Sequence, residues 1–273
     1  MQSSFKGRTV IVTGASMGVG AAVARAFARL EANLVLLARG EKKLQELVSE
    51  LDAGDRVHGM SMDVTDIQAF KDLLADTKSR FGGVDVLVNN AGFHQRGPVE
   101  TIEADDLGRM IDVNLKAPIM ATRLALPYLR KATTPAVINV ASLAGRTPIP
   151  GAAAYSASKF GIRVFGLALA EELRGSGIKI AAVSPGPIDT GFIMDQIDQV
   201  TNLTFSQPIS TAEEVADMVV KLVTSDKAEQ AMPPISGVLT TLTYLMPGLG
   251  RLMRPLLERK GRRTKARLKR ERG

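Results

Sequence analysis

Six short runs rich in β-branched and other apolar residues recur along the chain, and stretches of helical spacing separate or follow them. The runs are RTVIVT (8–13), NLVLLA (33–38), RVHGMSM (56–62), VDVLVN (84–89), AVINVA (136–141) and IKIAAVS (178–184). The helical stretches cover 18–31, 41–52, 66–81, 103–132, 153–175 and 211–225. Apolar residues continue through the runs without strict alternation, as they do in strands buried on both faces. Strand followed by helix along most of the chain predicts a doubly wound α/β fold, a parallel sheet of about seven strands with helices on both faces. Right-handed crossovers bring the strand C-termini to one edge, and ligands bind at that edge. With no repeat at a period of about 20–50 residues, solenoids and propellers are set aside.

The polar and Gly-rich turns fall on that edge: GASMGVG follows the first run, NNAG the fourth, SLAG the fifth and PGPIDTG the sixth. In the first, Gly14, Ser16, Met17, Gly18, Val19 and Gly20 lie directly between a strand and a helix. Such a turn lets backbone amides and a helix N-terminus approach a pyrophosphate, or it is simply tight. The second run ends at Arg39 rather than at an acid. A guanidinium suits a 2′-phosphate, which favours NADP(H) over NAD(H), with Ser16 as a second phosphate contact; a solvated surface arginine is the other reading. Asp63, followed by Val64 after the third run, either accepts from an adenine amino group or caps the next helix. Tyr155 and Lys159 are four residues apart in a helical stretch and share one face. An ammonium beside a phenol favours the ionised form and brings Tyr155 toward neutrality as an acid, although such pairs also occur on helix surfaces.

Charge and composition narrow the functions further. Residues 251–273 hold 11 of the 35 basic and 2 of the 28 acidic residues, a local +9, so the preceding 250 carry −2. Attraction to a polyanion or an acidic lipid therefore belongs to the tail. Without Trp, with few aromatics and with a near-neutral body, the chain offers no stacking surface or basic groove for nucleic acid. There is no Cys, and the two His, His58 and His94, are too few and too far apart for a metal site, so none is expected. His58 reads as structural, and His94 as a loop or rim residue with the acid role already filled. The N-terminal run lacks a signal-like apolar region, and a cytoplasmic chain is expected. Gln230–Gly250 is uncharged, but its prolines, glycines and threonines favour a buried strand and a turn over a membrane span.

Taken together, these motifs resemble the short-chain dehydrogenase/reductase family over residues 8 to about 225. TGASMGVG looks like the family's cofactor turn, Asn89-Asn90-Ala91-Gly92 like its NNAG, and Ser142, Tyr155 and Lys159 like its catalytic serine, tyrosine and lysine. Asn114 in DVNLK looks like its catalytic asparagine, and Pro185-Gly186-Pro187-Ile188-Asp189-Thr190 like its PGxxxT loop. The resemblance implies a Rossmann-like catalytic domain at 1–245 that exchanges hydride between NADP(H) and a small-molecule carbonyl or secondary alcohol. It implies that Tyr155 gives the proton, Lys159 depresses its pKa and binds the nicotinamide ribose, and Ser142 holds the substrate oxygen. Asn114 would hold a water linking Lys159 to solvent, the Ile188 backbone would bond the carboxamide, and Thr190 would support the nicotinamide end. Asn90, Ala91, Gly92, Pro185 and Gly186 would complete the cofactor site. Residues 191–210 would form a substrate lid whose Met, Ile and Phe favour an apolar, lipid-like ketone. The alternative is a nucleotide-binding sensor or scaffold that keeps the fold without turnover.

The sequence departs from the family pattern in three places. Met17 stands where NADP-using relatives often carry a basic residue, and Ala141 where many carry a second serine. Instead of the short segment that packs at a tetramer interface, residues 246–273 form an amphipathic and basic extension. A homodimer through 103–132 and 153–175 is therefore expected rather than a tetramer. Leu249, Leu252, Met253, Leu256 and Leu257 recur at helical spacing beside Arg251, Arg254 and Arg259. They make either a helix on an anionic membrane surface, reached through residues 249–273, or one docked on the body and followed by a disordered cationic end.

Overall fold

A computed structural model describes residues 5–195 and 197–272. Its seven strands form one parallel sheet in the order β3-β2-β1-β4-β5-β6-β7. They are β1 (Thr9–Thr13), β2 (Asn33–Ala38), β3 (Val57–Ser61), β4 (Val86–Asn89), β5 (Ala136–Val140), β6 (Lys179–Pro185) and β7 (Glu229–Met232). Strand order reverses between β1 and β4, which opens a crevice at their C-terminal ends.

Alternate residues of the inner strands enter two separate cores, which is why the runs read as continuously apolar. Val10, Val12, Leu34, Leu36, Val86 and Val88 pack under α1 (Gly18–Arg29), α2 (Glu41–Leu51) and α8 (Ala212–Thr224). Ile11, Val35, Leu37 and Leu87 pack on the other face under α3 (Ile67–Phe81), α5 (Ala117–Leu129) and α6 (Ala153–Glu172). A four-residue helix, α7 (Gly191–Met194), follows β6, and the boundaries of the longer helices follow local chemistry. Asp66 caps α3 through the Ala69 N–H, Gly82 ends it at φ +84°, and Thr211 and Glu214 close a capping box on α8.

Three expectations change. The stretch 103–132 is α4 (Ala104–Ile111), a five-residue π-helical turn at Asp112–Lys116, and α5. Residues 230–250 are not a buried strand and a turn: β7 is four residues long, and α9 (Pro234–Leu245) follows it. Proline at the first helical position is compatible with α9, because that N–H needs no intrahelical partner. The cationic end is not disordered through Arg272, since α10 (Pro247–Arg272) is one 26-residue helix. It docks through its C-terminal half: a Cβ on Gly261 would overlap the Asn202 carbonyl oxygen, Lys265 donates to the Asp198 and Val200 carbonyls, and Lys269 pairs with Asp198.

Candidate active site

A cleft of about 940 Å³ runs along the strand-end edge and is bounded at its far end by α9 and α10. All the residues expected at the cofactor line it: Gly14, Ser16, Met17, Gly18, Val19 and Gly20; Arg39, Asp63 and Val64; Asn90, Ala91 and Gly92; Tyr155 and Lys159; and Pro185, Gly186, Ile188 and Thr190. Ser142 lines it as well.

The glycine turn is shaped by contacts that only glycine permits. Gly14 has φ +66°, and a Cβ there would lie 2.8 Å from Ala91 Cα. A Cβ on Gly20 would come within 2.1 Å of the Gly14 carbonyl oxygen and 2.6 Å of Asn90 Nδ2. Asn90 ties the turn across the crevice, donating from Nδ2 to the Thr13 and Gly14 carbonyls, while its own N–H and that of Ala91 donate to Thr13 Oγ1. Met17, the residue before α1, caps the helix with no side-chain acceptor, so its first-turn amides have no side-chain partner from that position. A tight cradle at a helix N-terminus fits a pyrophosphate. At the end of β2, Arg39 is exposed and its charge reaches Asp63. Lys43 on α2 also lines the cleft there, a second cation that the sequence reading did not single out. Asp63 does not cap α3; its Oδ1 accepts from the Thr65 N–H and hydroxyl. Burial opposes its charge, but these two bonds and Arg39 bring its pKa below the usual carboxylate value.

At the other end, α6 presents Tyr155 and Lys159 on one face, as their spacing requires. A one-turn 3-10 helix, Leu143–Gly145, holds Ser142 against α6, because Gly145 packs directly on the Lys159 backbone, where a Cβ would lie 2.5 Å from its carbonyl oxygen. The Ser142 hydroxyl, which accepts the Ala144 N–H at 3.1 Å, favours the ionised form of Tyr155. Lys159 is buried and donates to the Val140 carbonyl at 2.9 Å, with Nζ 5.8 Å from the Tyr155 ring centre. Burial lowers its pKa to about 8.

Lys159 does not lower the Tyr155 pKa, although the resemblance implied that it would. Burial raises it above the ordinary phenol value, and the opposing influences are the Ser142 hydroxyl and the charge of Arg96. The lysine is turned toward the strand carbonyl instead.

Asn114 does not line the cleft. It is buried in the π-helical turn, where Oδ1 accepts from the Phe93 N–H and Nδ2 donates to the Phe93 carbonyl and Ser158 Oγ. It nevertheless meets Lys159 around Gly92, since a Cβ there would lie 3.0 Å from Asn114 Oδ1 and 3.5 Å from Lys159 Nζ.

His94 stands in the loop after β4, as expected, but it reaches into the site. Its ring stacks on Tyr155 with centroids 4.1 Å apart and planes 11° from parallel. Nδ1 lies 2.8 Å from an Arg96 guanidinium nitrogen, while Nε2 is buried without a hydrogen-bond partner among the described residues. Burial first, then the charges of Arg96 and Lys159, lower its pKa to about 3, so it is neutral near pH 7. Arg96 also donates to the Phe192 carbonyl at 3.0 Å and lies 5.6 Å over the Phe192 ring. His94 and Arg96 were missed as site residues because nothing in their spacing signals a stack; their place just after NNAG was the one clue. In the lid, Ile193, Val200 and Phe205 form a small core of their own against which Leu268 of α10 packs, leaving Phe192 beside Tyr155. Gly18 and Thr190 approach each other over the start of α1, where a Cβ would lie 3.5 Å from Thr190 Cγ2.

Residues 8–201 match the family model described as short chain dehydrogenase. A ketoacyl reductase, HetN, from Nostoc is 31% identical over 92% of this chain and 86% of its own length. A short chain dehydrogenase of Pseudocercospora fijiensis is 36% identical over 69% of this chain, which spans 62% of that protein. Among solved structures, a short-chain dehydrogenase/reductase, glucose/ribitol dehydrogenase, from Brucella melitensis superposes with a TM-score of 0.78 at 28% identity, covering 85% of this chain and 96% of that one.

Proposed function

Because this chain belongs to the short chain dehydrogenase family, we propose that it is an NADP(H)-dependent oxidoreductase that interconverts a carbonyl and a secondary alcohol, acting as a reductase of a hydrophobic ketone. The observation that carries this reading is the continuity of one cleft. A phosphate-sized cradle and two cations line one end, and Ser142, Tyr155 and Lys159 meet at the other. We assign catalysis to residues 1–245 and treat 246–273 as an extension.

When bound, the cofactor supplies the hydride and accepts it back. The Gly14–Gly20 turn holds its pyrophosphate, Arg39 and Lys43 its 2′-phosphate, and the Ile188 and Thr190 segment its nicotinamide end. Ser142 and Tyr155, which line the same cleft, turn their hydroxyls to the substrate oxygen. Tyr155 gives it a proton, and Ser142 donates to it as negative charge builds. Lys159 returns the proton to Tyr155 and binds the ribose. Asn114 keeps a second lone pair on Oδ1 for the water that relays the proton from solvent. His94 covers one face of the phenol and fixes its direction, and Arg96 holds His94 and Phe192 together.

The lining of the substrate end, with Phe192, Ile193, Leu239, Leu242, Met253 and Leu257, supports an apolar substrate. A homodimer through the outer faces of α5 and α6, where Val164 is exposed, and attraction of the cationic tail to an anionic membrane surface complete the reading. Among the described residues no helix is long and apolar enough to cross a membrane.

The test is a panel of apolar, acyl, sugar and aromatic ketones followed by NADPH and NADH absorbance. The proposal expects NADPH oxidation with at least one apolar ketone and a preference for NADPH that Arg39→Asp reverses toward NADH. NADPH binding without oxidation by any ketone would favour the sensor or scaffold. Unchanged discrimination in Arg39→Asp would place the 2′-phosphate elsewhere.

A further inference from the structure

Helix α9 is amphipathic in the wrong sense for a helix that belongs to a core. Its protein-facing side is made of small and polar residues, Ser236, Gly237 and Thr240, all buried. Ile235, Val238, Leu239, Leu242, Leu245 and Met246 recur at helical spacing on the opposite side, and all are exposed. The buried hydroxyl is satisfied locally: Thr240 donates to the Ser236 and Gly237 carbonyls, and Thr241 likewise bonds Gly237. A helix this apolar on its solvent face is unfinished without a second apolar phase.

The next helix identifies that phase. Leu252 and Leu256 are the most exposed leucines of α10, at 79% and 68%. Continuing along the same stripe at helical spacing, Arg259, Arg263 and Arg270 follow, all exposed. The side turned inward carries Met253, Leu257 and Gly261. One face of α10 therefore changes from apolar beside α9 to cationic toward its end, over a helix about 39 Å long. A second copy of the chain seated there would bring two such cationic stripes together, whereas an anionic bilayer offers an apolar interior with negative charge around it.

We propose that the outer face of α9 and the first turns of α10 insert into the interfacial layer of an anionic bilayer, with the arginine stripe of α10 lying on its headgroups. This carries the tail's membrane attraction further by making α9 the inserted element. Leu239 and Leu242 are exposed on that face and also line the cleft, so its mouth opens at the membrane. The substrate class then follows, on the reductase reading above: an apolar ketone that partitions into lipid and reaches Tyr155 without crossing water.

The experiment is flotation of the full chain with vesicles of phosphatidylcholine and phosphatidylglycerol in equal parts, and with phosphatidylcholine alone. It needs neither cofactor nor turnover, so it can fail while the catalytic reading stands, and the reverse. Wild type should float with the mixed vesicles and lose most binding to phosphatidylcholine alone. Ile235→Ser with Val238→Ser and Leu245→Ser, all exposed and none lining the cleft, should weaken binding to mixed vesicles by at least about tenfold with an unchanged circular dichroism melt. Arg259→Gln with Arg263→Gln should weaken it by a similar factor, and high salt should mimic that loss. Three results overturn the proposal: no flotation of wild type, equal flotation of the serine variant, or a wild-type dimer in sedimentation that the serine variant converts to monomer, which would make the face a protein interface.

Discussion

Burial and neighbouring charge pull the Tyr155 hydroxyl in opposite directions, and the residues that decide the balance are only partly those the sequence advertises. The spacing of Tyr155 and Lys159 placed them on one helix face, and Ser142 lines the same cleft. What spacing could not show is the rotamer of Lys159, which a strand carbonyl captures, or the loop after β4 that lays His94 on the ring. The stack leaves a stability signature. The His94 pKa of about 3 lies below its ordinary value of 6.5, so between these values the unfolded chain binds the extra proton. Stability present above the unfolded value is therefore lost as pH falls through that window. His94→Phe keeps a ring on Tyr155 but cannot titrate. Urea unfolding at about pH 7 and about pH 4 should show a smaller loss in the variant, by on the order of a few kcal/mol.

At the scale of elements, backbone approach rather than side-chain chemistry sets the cofactor cradle. The strand runs and the Gly-rich turns were legible because strand burial and tight turns leave marks in composition. Gly20 illustrates the constraint, since it has helical backbone geometry and yet no room for a methyl group against the Gly14 carbonyl. Gly20→Ala should cost about 1–3 kcal/mol in thermal or denaturant unfolding and weaken NADPH binding by more than tenfold, roughly, as the turn shifts. Helix α9 was illegible for the complementary reason. Its apolar residues recur with helical spacing, but prolines, glycines and threonines around them suggested a strand and a turn, and its stripe faces away from the protein. The π-helical turn at Asn114 also escaped, because the apolar periodicity on either side of it reads as one continuous helix.

Across the whole molecule, one carboxylate joins the site to the C-terminal helices. Glu229 on β7 accepts both Arg163 of α6 and Arg146 just beyond the Ser142 turn, and Ser184 of β6. Arg146 in turn donates to Thr241 of α9. Burial works against the Glu229 charge, yet Arg163, Arg146 and Ser184 together hold its pKa below the usual carboxylate value. Its contribution is thus present above the unfolded pKa and lost as pH falls through the lower folded one. Glu229→Gln leaves two mostly buried guanidinium groups without their anion and should destabilise the fold by about 3–5 kcal/mol in urea unfolding, with the acid dependence reduced. The parallel sheet and its strand-edge cleft were implied by the alternation of runs, but the strand order β3-β2-β1-β4-β5-β6-β7 was not. The closing of that cleft by α9 and α10 was not, since it depends on packing between residues far apart in sequence, such as Gly261 on Asn202.

The most direct test of the account is Tyr155→Phe, assayed for NADPH binding by fluorescence and for oxidation of NADPH with a ketone that wild type reduces, in the same preparation. The account predicts binding within about twofold of wild type and turnover lower by roughly 10²–10⁴-fold, the loss of a positioned proton donor. Turnover retained near the wild-type level, with NADPH bound, would contradict it.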